Sequence, residues 1–427
     1  MTRLRWRRAW SWILILVITL ITLPSAYASL QQLSAVEVNL LMPAPFADAS
    51  ADLVRRFNHQ QAGRIHLKVT RGPLETEAIS DLAISSLLLG DAPFDGLLMD
   101  VTWLPKYAAA GWLQPLDPWF SDADQDQLAD GARQGNSYAG RLYRWPFVAS
   151  MGLLYWRTDL MQHPPRTPQE LETISSRLQT EGKVPWGYVW QGRQYEGLSC
   201  VFLEVIDGFG GFWLDPETRA IGLDQSAGHA AAAWLRHLIE AGISPAAVTN
   251  FAEPEALQSF KVGDAAFMRN WPYAWAELQK PDSAVKDNVG ITTMVALNQQ
   301  DSTATLGSWG LALLKGSKHP EATAEAIRFL SSEESQRQLL LSYGYTPTLA
   351  ALFHDPELIA INPTLPTLAD ALDHARARPE TPLYAQVSDV LQRDLSSVLT
   401  TGSTPAVGMA RAADTSAVIM RSAGDRP

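Results

Sequence analysis

Tryptophans beside turn residues and polar groups are the part of this chain best suited to chemistry. Trp103 follows Asp100, Trp186 and Trp190 flank Gly187, Trp271 follows Asn270, and Trp309 lies close to Gly307. Sugars present apolar C–H faces edged by hydroxyls. A site for them needs flat aromatic surfaces with carboxylates, amides or arginine at the rim. Each of these tryptophans could equally fill a core. Other chemistries need patterns the chain lacks: GxGxxG, a Walker A loop, GxSxG, HExxH and CxxC. His229 and His237 share a helix but lie too far apart to act as a ligand pair. Asp122, Asp124 and Asp126 mimic the start of a calcium loop. Gln127 and Arg133 stand where glycine and glutamate are required, so a solvated helix start is the better reading. No metal and no cofactor are expected. Cys200 sits in an apolar stretch and reads as a buried structural thiol. A glycosidase needs only two carboxylates, so an exported carbohydrate-active enzyme stays open as an alternative.

The elements that must position these residues begin with alternation. Val36, Val38 and Leu40, then Ile65, Leu67 and Val69, follow the period of strands. Residues 49–60 read as a helix with Leu53, Val54 and Phe57 on one face, and residues 75–89 as a second helix closed by Gly90. Residues 94–99 form a third strand that ends at Asp100. The order β-α-β-α-β predicts an α/β fold with a parallel sheet, and ligands bind beyond the carboxyl ends of such strands. Further along, Thr167 can cap a helix, residues 208–211 form a glycine-rich turn, and residues 227–241 form an alanine-rich helix. Residues 305–314 read as a strand returning to a sheet, and residues 320–343 as one long amphipathic helix. The segment after Leu399 is weakly patterned.

Composition sets the class. The chain has 427 residues, 46% hydrophobic and 19% charged, enough for two lobes with their own cores. One cysteine excludes a disulfide framework. A net charge of −11 argues against nucleic acid as a partner. Arg3, Arg5, Arg7 and Arg8 precede an apolar run from Ile13 to Leu23, and Ala26 and Ala28 supply the small-x-small cleavage pattern. This reads as a signal peptide over residues 1–28, too short in its apolar part to span a bilayer. Its removal takes four arginines and no acid, so the exported, periplasmic form is more acidic still.

Several segments in order resemble the family 1 extracellular solute-binding proteins of ABC importers, and within them the trehalose/maltose-binding branch. They are Asp100-Val101-Thr102-Trp103 with Ala110-Gly111-Trp112-Leu113-Gln114-Pro115-Leu116-Asp117, and Gly152-Leu153-Leu154-Tyr155-Trp156-Arg157. The run from Trp186 to Leu198, Asn270-Trp271-Pro272-Tyr273-Ala274-Trp275, Thr305-Leu306-Gly307-Ser308-Trp309 and Arg378-Pro379 complete the set. The resemblance implies a two-lobed periplasmic binding protein fold with a hinge and a ligand cleft between lobes. It implies discontinuous lobes, residues 29–147 plus 302–346 and residues 148–301 plus 347–427. Carried over by position, Asp100 would accept hydrogen bonds from sugar hydroxyls, and Trp103, Ser150, Trp271, Tyr273 and Trp309 would line the site. Gly307 would lie against the ligand with its backbone, and Arg378 would donate a forked pair of hydrogen bonds. The partners implied are a small carbohydrate and membrane permease subunits, with the chain itself a monomer that does no chemistry. A chemosensory sugar-binding protein would carry the same pattern. Four polar positions of the branch align here with Ala47, Ile79, Val148 and Ser150. These departures point away from maltose and trehalose and toward a compact glucoside.

Overall fold

A computed structural model describes residues 35–90, 93–298 and 303–422. The arginine-rich leader and its cleavage point lie outside the described residues. Alternating apolar side chains make strands of β1 (Val36–Met42) and β2 (Ile65–Arg71). Between them, α1 (Ala51–Gln60) buries Leu53 and Phe57 at i, i+4 spacing. After α2 (Thr76–Leu88) comes β3 (Gly96–Asp100), buried on both faces as a central parallel strand must be. The chain continues through β4 (Arg144–Val148), β5 (Leu153–Arg157) and α3 (Pro168–Thr180). Thr167 caps α3 by accepting the Glu170 N–H at 3.2 Å. Then follow β6 (Trp186–Val189), α4 (Glu196–Gly208), α5 (Ser226–Glu240), α6 (Glu253–Lys261), β7 (Ala265–Asn270) and β8 (Val289–Thr292). The last third holds β9 (Ala304–Thr305), β10 (Trp309–Leu313), α7 (Pro320–Leu330), α8 (Glu333–Tyr343), β11 (Ala375–Arg376), α9 (Tyr384–Leu399) and α10 (Pro405–Ser422).

Two sheets organise two lobes. The first has the order β2-β1-β3-β10-β4, with β2, β1 and β3 parallel and β10 antiparallel to both its neighbours. One face packs Leu40 and Leu98 against Phe57 and Ile327, and the other packs Leu97 and Ala312 against Ile79 and Tyr107. The second sheet has the order β8-β5-β7-β6, with only β6 and β7 parallel. Its faces carry separate cores, Leu154 and Phe267 with Phe202 and Leu391, and Tyr155 and Met268 with Phe260.

Connections between the sheets run side by side. Residues 149–152 leave β4 for β5, and residues 306–308 leave β9 for β10. Met151 bridges Leu306, Ala149 bridges Thr346, and the Gly307 N–H donates to the Ser150 carbonyl at 2.8 Å. Beside them β9 pairs in parallel with β11. These short paired segments are where the lobes can rotate relative to each other.

Three sequence expectations need correction. The helix expected over 320–343 is two helices, because Ser332 turns extended and its hydroxyl accepts the Ser335 N–H. Ser332-Glu333-Glu334 is an N-cap signature inside an apolar pattern. The strand expected over 305–314 is interrupted at residues 306–308, where the chain crosses between lobes. The weakly patterned segment after Leu399 is a helix of 18 residues. It buries Met409, Ala412, Ala413, Ser416 and Met420 against α9 and α5, a helical stripe built mainly from small residues.

Candidate ligand-binding site

Asp100 closes β3 at its carboxyl end, and Trp309 opens β10 directly opposite it in antiparallel register. The extended backbone of Asp100 turns its carboxylate back over the next residues. Oδ1 accepts the Thr102 N–H at 2.9 Å and the Thr102 hydroxyl at 2.8 Å, so Asp100 does cap the short turn that follows. Trp309 is half-buried. Its ring lies 5.2 Å from Phe46 and meets Trp103 edge-on at 5.7 Å. Trp103 is only 8% exposed and stacks along Tyr107, so it supports Trp309 from the core side. Phe46 also packs on Tyr345, which makes a continuous aromatic wall on the first lobe.

The second lobe supplies Trp271, one residue past the end of β7. Its indole N–H donates to Glu253 Oε1 at 3.0 Å, and its backbone N–H is held by the Asn270 side chain at 2.9 Å. The Arg269 guanidinium lies 4.0 Å from the ring centroid, so one face is already occupied by a cation–π contact. Arg269 is fully buried and forked onto Glu204, with one bond at 2.9 Å. Burial alone would lower the Arg269 pKa, but the Glu204 charge and hydrogen bonds outweigh it and hold the group above its ordinary value. Gly307 lies against the same indole. A Cβ there would stand 2.7 Å from the ring, closer than any real contact, so glycine is required for the approach. Ser150 is half-exposed beside it, joined through its carbonyl to the Gly307 N–H. Tyr273 is half-buried at the start of the helix Ala274–Leu278, and burial, then the Glu253 charge, push its hydroxyl pKa well up.

Arg378 joins the two halves. Its side chain is 2% exposed. Nη2 donates to Asp100 at 2.8 and 3.1 Å, and Nη1 donates to Glu196 at 2.7 Å. The resemblance implies a forked pair of hydrogen bonds from Arg378 to the ligand; in this structure its two ends meet one carboxylate from each lobe. Glu196 begins α4 and also accepts hydrogen bonds from the Tyr384 and Ser388 hydroxyls. Burial raises the Glu196 pKa, opposed first by the Arg378 charge. Neighbouring Arg144 is fully buried, and desolvation lowers its pKa to about 9 despite the Asp100 charge. With three donors on Oδ1 and one on Oδ2, Asp100 keeps acceptor capacity mainly on Oδ2.

The aligned departures divide. Ile79 and Val148 are core residues, and Ala47 and Ser150 are half-exposed. Glu196, Glu253, Arg269 and Tyr195 were not singled out from the sequence. Tyr195 and Glu196 lie inside the quoted run from Trp186 to Leu198, Arg269 borders the quoted segment that begins at Asn270, and a charged residue inside an otherwise apolar strand, such as Arg269 in β7, is the signal that marks a buried pair.

A two-lobed α/β chain that crosses repeatedly between sheets, and sets aromatic faces beside acids at their carboxyl ends, is built to bind a solute. The chain belongs to the bacterial extracellular solute-binding protein family, whose model matches residues 65–337. It is similar to a probable ABC transporter-binding protein of Deinococcus radiodurans, 33% identical over 351 residues that cover 79% of this chain and 83% of the relative. It is also similar to a maltotriose-binding protein of Pyrococcus abyssi, 24% identical, covering 70% of this chain and 64% of that protein. Among solved structures, the maltose-bound MalE3 of T. maritima superposes with a TM-score of 0.82 at 30% identity, covering 89% of this chain and 98% of the other. The family is one of binding proteins of sugar ABC transporters, not enzymes.

Proposed function

We propose that this chain is exported to the periplasm with cleavage after Ala28, and that it captures a small glucoside or disaccharide by lobe closure. It would then deliver the ligand to the permease of an ABC importer. The observation that carries this reading is the pairing of Asp100 with Trp309 on one lobe, with Trp271 seated on Gly307 beside them. A glucosyl ring needs a flat apolar contact and an acceptor for its hydroxyls, and these residues offer both. The lobe limits at 147/148, 301/302 and 346/347 belong to the same proposal, supported by the crossings beside Ala149, Leu306 and Thr346.

Ligand size follows from the departures. Ile79 and Val148 are buried among apolar neighbours and offer no polar atom to a second sugar ring. An unpaired buried hydroxyl costs about 1–3 kcal/mol. The ligand preferred by this reading is a glucosyl unit with a short polar aglycone, such as glucosylglycerol. The similar proteins named for maltose and maltotriose put those sugars on the test panel. A thermal-shift screen over glucosides, maltose, maltotriose and trehalose tests the class, since a ligand at about 100 times its dissociation constant adds roughly 2.7 kcal/mol of stability. A panel with no shift would remove the sugar reading.

A further inference from the structure

The carboxylate of Glu253 has two clients. Oε1 accepts the Trp271 indole N–H at 3.0 Å, and Oε2 accepts the Tyr195 hydroxyl at 2.8 Å. Tyr195 can reach it because residue 197 is glycine; a Cβ there would meet the Tyr195 hydroxyl at 2.2 Å. The Arg193 guanidinium lies over the Tyr195 ring at 4.5 Å, and its Nη2 reaches Glu75 Oε2 at 3.4 Å. Glu75 follows β2 in the first lobe, whereas Arg193, Tyr195 and Glu253 belong to the second. One continuous chain of contacts thus runs from the indole of Trp271 to a side chain on the opposite lobe.

Sheet order says where that last contact sits. The inter-lobe crossings leave the first sheet from β4 and β10, and β2 is the opposite edge strand. Three strand spacings of about 4.8 Å separate β2 from β10, roughly 14 Å. In the second sheet β5 carries a crossing, and β6, which leads to Arg193, is the edge strand two places away. The Glu75–Arg193 pair therefore lies far from the hinge, where a small rotation of the lobes changes its separation most.

We infer that Glu253 is a positioning residue for Trp271, and that through Tyr195 and Arg193 it couples the orientation of that ring to a closure contact with Glu75. The positioning half rests on the proposed stacking role of Trp271; the closure half does not. Both Arg193 and Glu75 are partly exposed, so the contact is weak and sensitive to salt. It biases closure without locking it, which leaves the ligand to shift the balance.

Spin labels on Lys68→Cys and Lys183→Cys, exposed positions by the two edge strands, report lobe separation. Cys200 is buried with its thiol pKa pushed well up, so it leaves the labelling clean. In the ligand-free protein the short-distance population should fall when salt is raised to about 1 M, where charges are screened within about 3 Å. Arg193→Gln, Glu75→Gln, Tyr195→Phe and Glu253→Ala should each lower it at low salt, and Arg193→Lys should retain it. Hydrogen exchange of the Trp271 indole N–H, assigned with Trp271→Phe, should be slow in the parent and in Tyr195→Phe and fast in Glu253→Ala. Closure variants should weaken ligand binding by about 1.5- to 5-fold. An unchanged distance distribution in Arg193→Gln overturns the closure contact. Equal indole exchange in the parent and Glu253→Ala overturns the positioning role. If both readouts behave as expected while no sugar binds either protein, the sugar reading fails and the coupling stands.

Discussion

Replacing Arg378 with methionine should destabilise the protein strongly at neutral pH and much less in acid. The guanidinium is 2% exposed, and its partners Asp100 and Glu196 are 7% and 16% exposed. Removing one partner of a buried ion pair costs about 3–5 kcal/mol, because the remaining charge is left desolvated. Here two carboxylates lose a partner, but Thr102 still serves Asp100, and Tyr384 and Ser388 still serve Glu196. The same range, about 3–5 kcal/mol, is therefore the expectation. The sign of the pH effect follows from Glu196, whose pKa burial already raises and Arg378 opposes. A carboxyl raised in the folded state favours folding while protonated, and that contribution is lost as pH climbs through its folded value. Methionine removes the opposing charge, moves the folded value further up, and enlarges the loss at neutral pH. Denaturant unfolding of parent and variant, at neutral pH and within the ordinary carboxylate range, measures the difference. A penalty of equal size at both pH values, or one under about 1 kcal/mol at neutral pH, would mean that Arg378 does not hold Glu196 charged in the folded protein.

Other substitutions separate platform from scaffold. Gly307→Ala should weaken ligand binding about tenfold and lower stability by about 1–3 kcal/mol, since its methyl would displace the Trp271 ring from Arg269 and Glu253; calorimetry reads the first and denaturant unfolding the second. Trp271→Ala and Trp309→Ala should impair binding more than Trp112→Ala, because Trp112 packs edge-on against Tyr107 in the first lobe; equal losses would point to general destabilisation. Glu204→Gln should lower stability by about 3–5 kcal/mol by stranding fully buried Arg269, and the tryptophan emission should change as the cation–π contact loosens.

Much of the first lobe was legible because its signals are local. Alternation marked β1 and β2, the stripe of Leu53 and Phe57 marked α1, and a parallel strand ending in a carboxylate marked Asp100. Trp271 and Trp309 stood out as tryptophans beside turn residues and polar groups, Asn270 and Gly307. What escaped depends on contacts distant in sequence. Arg378 meets Glu196 across 182 positions and Asp100 across 278, after the chain has crossed between lobes. No local period reports such a fork. Glu253 lies at the first turn of α6, where an acid already has an ordinary reason to be, so its hold on Trp271 left no trace in the pattern. α10 was missed because four of its six buried residues, Gly408, Ala412, Ala413 and Ser416, are small and carry little hydropathy signal.

Capture of a compact glucoside on Trp271, Trp309 and Asp100, as proposed above, can be read by calorimetry on the purified protein. Glucosylglycerol, maltose and trehalose would be titrated into the parent and into Trp271→Ala, Trp309→Ala and Asp100→Ala. Charged hydrogen bonds contribute about 1.5–3 kcal/mol, so Asp100→Ala should weaken binding by roughly tenfold to over a hundredfold. Glucosylglycerol or a comparable small glucoside should bind the parent more tightly than either disaccharide, and all three variants should lose affinity. Binding of maltose or trehalose at least as tight as every small glucoside would contradict the ligand assignment, and undiminished affinity in the three variants would contradict the site.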